Sequence, residues 1–405
     1  MRGHDADVAV VGAGPVGLYA AALLASAGAD VVVLERRRER TAHSRAIGIH
    51  PPALAALGRV GAAEDLVEAG VRIVEGEARC GGRRVARLSF DGVPGEHRFV
   101  LAVPQFRTEA ILEQRALSAG ADLRRDVEVR GLRQGPGHGG LAGGGLAGRG
   151  SGNPGSAGGA PGVELRTSDG LLRARFVLGA DGARSTVRGA SGIGARIRRY
   201  PDTYAMGDFA DAAAEAAPGG ARRAVLYLER GGIVESFPLP GGVRRWVVRT
   251  RSFVAHPTAD WLAATVEART GVALDPAGNS MLSSFGVRRR IADRFVSGRV
   301  ALVGDAAHEV SPIGGQGMNL GWLDAALLAP SVLEALQDGG GAGLRRYGTV
   351  RRRAALAAAR QAHLNMALGR PLAAPWLGLR NRAIGRAAAA DPVHDAVARV
   401  FTMNA

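Results

Sequence analysis

Three carboxylates of this sequence stand where a short apolar run ends: Glu35, Asp181, which precedes Gly182, and Asp305, which follows Gly304. Asp305 follows Val300-Ala301-Leu302-Val303 and Gly304. It leads into a turn with Pro312, Gly314, Gly315 and Gly317, and a helical pattern begins near Met318. A carboxylate there can accept hydrogen bonds from sugar-like hydroxyls. The glycines let the backbone come close to a flat ring, and the unbonded N–H groups of the helix start, around Gly315 to Asn319, favour negative charge. Asp181, followed by Gly182, ends a strand pattern over 171–178, where open α/β sheets present their ligand sites.

Glu35 belongs to a second constellation. A buried strand pattern over 7–11 runs into Gly12-Ala13-Gly14-Pro15-Val16-Gly17; an Ala/Leu-rich helical stretch follows, and a β-branched strand then ends at Glu35 and Arg36. This is a βαβ unit carrying the dinucleotide fingerprint. The first glycine allows a tight turn, the second admits a pyrophosphate, and the third lets helix pack on strand. The diphosphate sits at the helix N-terminus, and Glu35 is positioned for ribose hydroxyls. Gly143 to Gly148 also satisfies the GxGxxG spelling, but no strand or helix frames it. It lies in a Gly/Ala/Pro/Ser-rich tract, 135–162, read as a mobile loop joining strands over 127–133 and 163–166.

Around these motifs the elements alternate. A hairpin turns about Gly81-Gly82. Pro104-Gln105-Phe106-Arg107 precedes a helix expected over 108–119, with Thr108 as its N-cap. Between 198 and 285, strands at 204–209, 224–229, 233–238 and 244–250 alternate with Gly or Pro turns, as in an antiparallel sheet, and a helix follows over 258–270. The pattern predicts an α/β fold: a Rossmann-like nucleotide domain (1–75, 96–190 and 286–340), a discontinuous antiparallel sheet domain (76–95 and 191–285), and C-terminal helices (341–405). A cleft between two such domains is a usual small-molecule site.

Composition narrows the partners. The formal charge is +15, yet every one of the 52 basic residues is Arg, spread along a chain only 5% aromatic. Nucleic-acid recognition wants basic residues clustered with aromatics interleaved, so attraction of anionic small molecules is the better use of the charge. No apolar run reaches the ~18 residues of a membrane span. The N-terminal stretch, with Asp5 and Asp7, reads as a strand entry and not a secretory signal. A lone Cys80 fits a reducing cytoplasm.

The three motifs, in this order and spacing, resemble the single-component flavoprotein aromatic hydroxylases, the family of para-hydroxybenzoate hydroxylase; the resemblance spans roughly residues 6–336. It implies that all three serve FAD. Gly12, Gly14, Pro15, Val16 and Gly17 would bind the ADP half, with Glu35 and Arg36 at the adenosine ribose. Asp181 and Gly182 would lie near the pyrophosphate, in a motif linked to NAD(P)H use. Gly304 and Asp305 would hold the ribityl chain. Arg45 and Gln105 match an Arg and a Gln that contact FAD in relatives. Amides around Gly315, Gly317, Met318 and Asn319 would stabilise negative charge on the reduced flavin, and Pro312 would flank the ring on the substrate side. The implied reaction is reduction of FAD by NADH or NADPH, O2 addition to a flavin C4a-hydroperoxide, and hydroxylation of an electron-rich aromatic molecule. The expected enzyme is a monomer or homodimer.

Other residues carry weaker signals. His308 is better read as a packing or hydrogen-bonding histidine than as a base. His50 and His256 form no metal-ligand spacing. Tyr200, Tyr204 and Tyr227 could reach a phenolic substrate, although tyrosines in strands are more often core, and no base for the substrate is assignable. Halogenation is disfavoured because Trp246 stands in no Trp-x-Trp-x-Ile-Pro signature and the chain lacks Lys. The remaining alternatives are an FAD-dependent reductase of isoprenoid double bonds and a non-catalytic flavin- or ligand-sequestering protein.

Overall fold

The computed structural model describes residues 4–40, 46–135, 162–211 and 223–404. Arg45 and the second glycine spelling, Gly143 to Gly148, lie outside the described residues. Strand Ala6–Val11 runs parallel to Val31–Glu35 on one side and to Gly170–Gly179 on the other. Val300–Leu302 extends the parallel array beyond Gly170–Gly179, and Asp122–Arg125 extends it beyond Val31–Glu35. Val8, Val10 and Val33 have no exposed surface, as the near-continuous Val/Leu runs of strands buried on both faces require. Helix Pro15–Ser26 follows the first strand with proline in its first turn, where the missing N–H costs nothing. Its Leu18, Tyr19 and Leu24 are fully buried, each large apolar side chain contributing about 1.5–3 kcal/mol.

Five strands running the same way put their carboxyl ends on one edge. The Gly12 amide donates to the Leu34 carbonyl (2.8 Å), Ala180 to Val11 (2.8 Å) and Val303 to Gly179 (3.0 Å). Glu35, Gly12, Asp181 and Gly304-Asp305 therefore follow one another along that edge, over roughly 14 Å at the usual strand spacing.

A second eight-stranded sheet is separate from the first. Its order is His308–Glu309, Asn279–Ala292, Ala195–Ala210, Val243–Thr250, Val234–Leu239, Arg223–Tyr227, Glu75–Cys80 and Arg83–Ser89. All its pairings are antiparallel except that of Arg223–Tyr227 with Glu75–Cys80, which is parallel. In the expected hairpin both turn glycines have positive φ, 55° at Gly81 and 74° at Gly82, as a two-residue turn between twisted strands demands. Two strands are longer than their apolar stretches suggest, because arginine-rich ends still pair: Arg198 lies opposite Arg289 and Arg199 opposite Arg288. Glu309 bonds Arg288 (2.5 Å), offsetting part of that like-charge repulsion.

The outer face of this sheet, with Phe209, Tyr227, Trp246 and Val248, is covered by helix Ala259–Thr270. The inner face, with Tyr204, Met206, Val247 and Phe285, meets Ile313 and Met366. Helices Gln316–Asp338 and Ala342–Leu368 are separated where Gly339 turns left-handed (φ 71°). In the last helix, Asp391–Phe401, Phe401 stacks on Phe90 (centroids 5.8 Å apart) and meets His50 edge-on. One expected boundary is corrected. The helix anticipated from Thr108 spans Gln105–Ser118 with Pro104 at its N-cap, so Thr108 is a buried residue of the first turn; the proline ring sets φ at −57° and launches the helix three residues earlier. Among the described residues no helix is long and apolar enough to cross a membrane.

Candidate functional site

The glycine loop is shaped by close approach. Gly12 has φ 105°, and a Cβ there would lie 2.6 Å from the Ala180 carbonyl oxygen; a Cβ on Gly17 would run into the Gly12 carbonyl. Gly14 meets nothing within 4 Å, so that side of the turn is open. Helix Pro15–Ser26 has no acidic residue in its first turn, which leaves its N–H groups and positive dipole end to an outside anion. From beneath, Val16 fits against the bare Cα atoms of Gly304 and Gly321, and Trp322 Nε1 donates to the Pro15 carbonyl (3.1 Å).

Glu35 is held by the loop it serves. Its Oε2 accepts from the Ala13 amide (2.8 Å) and its Oε1 from the Arg37 amide (2.9 Å). Each oxygen keeps a second lone pair for a hydroxyl donor. Arg36 beside it is exposed. Gln105 is half-buried and donates to Glu109 (2.7 Å). Burial first, and then the charge of Glu35, push the Glu109 carboxyl up against the pull of Gln105, Arg37 and Arg40, which puts this helix start on the Glu35 side.

On the next strand, Asp181 Oδ2 accepts from the Val187 amide (3.1 Å), while its Oδ1 is buried with no partner among the described residues. Gly182 has φ 76° and open space around its Cα. Arg188, which carried no signal in the sequence, staples this loop to the next: Nη1 donates to Ala306 (2.8 Å) and Nη2 to Ala183 (3.0 Å).

Asp305 keeps exposed side-chain surface although protein surrounds it. Desolvation by that surrounding mass, against the opposing charge of His308, pushes its carboxyl up to about 6. No described residue donates a hydrogen bond to it. The turn beyond has Pro312 and Gly315 exposed, and Gly314 and Gly315 at φ 95° and 67°. Gly315 donates to Pro312 (2.9 Å) and caps helix Gln316–Asp338, whose first turn also lacks acids. Gly317 and Met318 are half-buried; Asn319 is fully buried. The Asn319 side chain is spent on the protein: Nδ2 donates to Gly48 (2.9 Å) and Gly315 (2.7 Å), and Oδ1 accepts from the His50 amide. His50, also missed, lies under the turn, its Nε2 3.3 Å from the Cβ position of Gly315. Burial pulls its imidazole down to about 4, against a hydrogen bond that the ring donates to the Gly314 carbonyl, so it is neutral at pH 7. The one local signal for it was its place just before Pro51-Pro52.

His308 is the packing histidine expected of it. It is fully buried, and its Nε2 shares a 2.5 Å hydrogen bond with Asp324 Oδ2. Asp324 also accepts from Arg351 Nε (2.5 Å) and the Gly304 amide (3.3 Å). Burial opposes the charge of Asp324, but His308 and Arg351 outweigh it and hold the carboxyl below its usual range. This buried network supports the Gly304-Asp305 turn from behind. Of the three tyrosines, Tyr227 faces the outer side, stacked on Trp246; Tyr204 is on the inner face, stacked on Phe285; and Tyr200 lies beside His363.

The residues present fit a flavin nucleotide. Two acid-free helix starts, an open glycine cradle, a buried Asp181 oxygen without a partner and an unbonded Asp305 carboxylate line one sheet edge. The sequence profile of a family described as FAD binding domain matches residues 5–139 and 157–362. The chain is similar to rifampicin monooxygenase of Streptomyces venezuelae, 33% identical over 324 residues that cover 79% of this chain and 62% of that one. In structure it is similar to the p-nitrophenol 4-monooxygenase of Pseudomonas putida, with TM-score 0.84 over 98% of this chain and 97% of that one; at 24% identity this is a likeness of fold. The anhydrotetracycline hydroxylase of Streptomyces rimosus superposes with TM-score 0.74 at 29% identity, over 98% of this chain and 76% of that one. The chain spans about three fifths of the length of the curated relatives it matches.

Proposed function

This chain belongs to the FAD-binding family, and from that premise we propose that it is a monooxygenase that hydroxylates an aromatic or similarly electron-rich small molecule with NAD(P)H and O2. Support comes chiefly from one observation: Glu35, Gly12, Asp181 and Asp305 succeed one another at the ends of four neighbouring parallel strands. Bound FAD supplies electron storage and oxygen activation. The chain's own part is to hold it. The amides of the Gly12 to Gly17 loop bind the pyrophosphate, with Asp181 and Gly182 beside it and the second lone pairs of Glu35 on the ribose near Arg36. Asp305 accepts from ribityl hydroxyls. The first-turn amides of Gly317 and Met318 face the negative edge of the reduced ring system, whereas the Gly315 amide is taken by the Pro312 carbonyl. Asn319, expected among these amides, is fully buried and acts on the cofactor only through the turn that its side chain ties down.

Pro312 and the inner face of the second sheet border the substrate. Tyr204, Met206, Val247 and Phe285, closed by Ile313 and Met366, make a wall that excludes water and suits an apolar ring. The nucleotide-binding ranges 1–75, 96–190 and 286–340, the substrate ranges 76–95 and 191–285, a cytoplasmic location, and a monomer or homodimer complete the proposal. The test is to purify the protein, look for the yellow absorbance of FAD, and follow NAD(P)H oxidation with mass detection of an added oxygen across aromatic compounds. Bound FAD without stimulated oxidation or oxygenated product across a wide panel favours a sequestering protein; protein that neither retains nor takes up FAD overturns the proposal.

A further inference from the structure

Among the described residues Glu235 is an acid of the inner sheet face that pairs with no arginine. It lies directly across from Leu226 and Val247, and Val247 lies across from Met206. Directly opposed residues share a face, so Glu235 stands in the same wall as Tyr204, Met206 and Phe285, flanked along its own strand by Ile233 and Phe237. Ile313, in contact with that wall, immediately follows Pro312. The other carboxylates nearby are matched. Asp208 takes both forks of Arg245 (2.6 and 2.8 Å), and Asp202 binds Arg249 (3.2 Å) and Arg370 (2.8 Å). With those two clusters, Tyr204 and, packed against the same wall, Tyr200 beside His363 are charged or titratable groups of that face among the described residues. No described residue donates a hydrogen bond to Glu235, which is 7% exposed.

A lone carboxyl in an apolar wall is costly unless something satisfies it. We infer that Glu235 accepts a hydrogen bond from a phenolic hydroxyl of the substrate and takes its proton as the ring is attacked, an inference that rests on the proposed function. The phenol O–H bond breaks, its electron pair stays on the ring oxygen, and the proton resides on a Glu235 carboxyl oxygen, leaving the ring more electron-rich. Burial pushes the Glu235 carboxyl up to about 7, near the operating range of a general base. The substrate class is therefore a hydroxyarene, oriented with its hydroxyl on the Glu235 strand and its ring toward Pro312.

The test is equilibrium dialysis of 4-methylphenol and its methyl ether, 4-methylanisole, against wild type, Glu235→Gln and Glu235→Ala. Wild type is expected to prefer the phenol by roughly tenfold to a hundredfold, as for a hydrogen bond to a charged group. Glu235→Ala is expected to lose that preference and Glu235→Gln, whose amide oxygen accepts only a neutral hydrogen bond, to keep a smaller part of it, while both bind the ether as wild type does. A preference that survives Glu235→Ala, an equal loss of phenol and ether binding, or no saturable binding of the phenol to wild type overturns the inference. Flavin absorbance of the same preparations reports on the proposed function separately: protein without FAD that keeps the Glu235-dependent preference sinks that function alone, and FAD-loaded protein without the preference sinks only the inference.

Discussion

Asn319 Oδ1 accepts the His50 amide at 2.8 Å across 269 positions of sequence. The same side chain donates to Gly48 and Gly315, so one buried amide group fastens the two-residue strand Gly48–Ile49, at the edge of a small three-stranded sheet, to the turn at the helix start. This explains how a turn with two left-handed glycines keeps one shape: its entropy cost is met by a side chain anchored elsewhere. Asn319→Ala leaves a buried N–H and two carbonyls without their partner. The expected loss is roughly 2–4 kcal/mol of stability, read from urea unfolding, together with weaker FAD retention. An unchanged midpoint and unchanged FAD content refute the anchoring role.

Asp324 joins His308, Arg351 and the Gly304 amide in a buried network. Asp324→Ala leaves the Arg351 charge half-buried and unmatched, with an expected cost of about 3–5 kcal/mol. The carboxyl is held below its usual range in the folded state. Its contribution is therefore full above the unfolded value of about 4 and is lost as pH falls further. Acid unfolding of Asp324→Asn should show a shallower fall below pH 4 than wild type; identical acid profiles count against the network.

Asp305→Ala is expected to weaken FAD binding roughly tenfold to a hundredfold, the range for hydrogen bonds to a charged acceptor. The carboxyl is pushed up to about 6 before the hydroxyls bind it, and those hydroxyls favour the ionised form. Affinity should then be level above pH 6 and decline below it, approaching tenfold per pH unit. Asp305→Asn should bind weakly with no such decline. Fluorescence titration of FAD across pH 5–8 measures both, and a wild-type affinity that is flat through pH 6 contradicts the assignment.

Glu235 imposes a stability cost with a defined sign. Its carboxyl moves from 4.5 to about 7 on folding, so the folded state prefers the protonated form. Stability is greatest below 4.5 and is lost as pH rises through 7, by at most roughly 3 kcal/mol. Glu235→Gln should be more stable than wild type at pH 8 and equal to it near pH 4.5. Urea unfolding at the two pH values decides this. A more stable variant that binds phenols worse is the expected trade between stability and function.

The cofactor motifs were legible because each is local. Gly12 to Gly17 is a turn between adjacent strand and helix, and Asp181-Gly182 and Gly304-Asp305 each close one strand, so spacing and residue type state the geometry directly. The bland reading of His308 was legible too, whereas the start of the helix at Gln105 was obscured by the attraction of Thr108 as a cap.

The residues that carry no local pattern were not legible. His50, Arg188, the anchoring side chain of Asn319 and the solitary position of Glu235 all depend on what lies opposite them. The run Ile233-Val234-Glu235-Ser236-Phe237 showed an acid within an apolar strand, but not which face it takes. One register step would have moved Glu235 from the inner wall to the outer side. The sequence by itself determined that strand, carboxylate and glycine recur in the order a flavin nucleotide needs, since those constraints act between neighbours. Only the tertiary structure decided that the three strand ends share one edge, that Asp202 and Asp208 are matched by arginines, and that Glu235 is not. Those facts come from parallel alignment and cross-strand register, which are set by contacts between residues far apart in the chain.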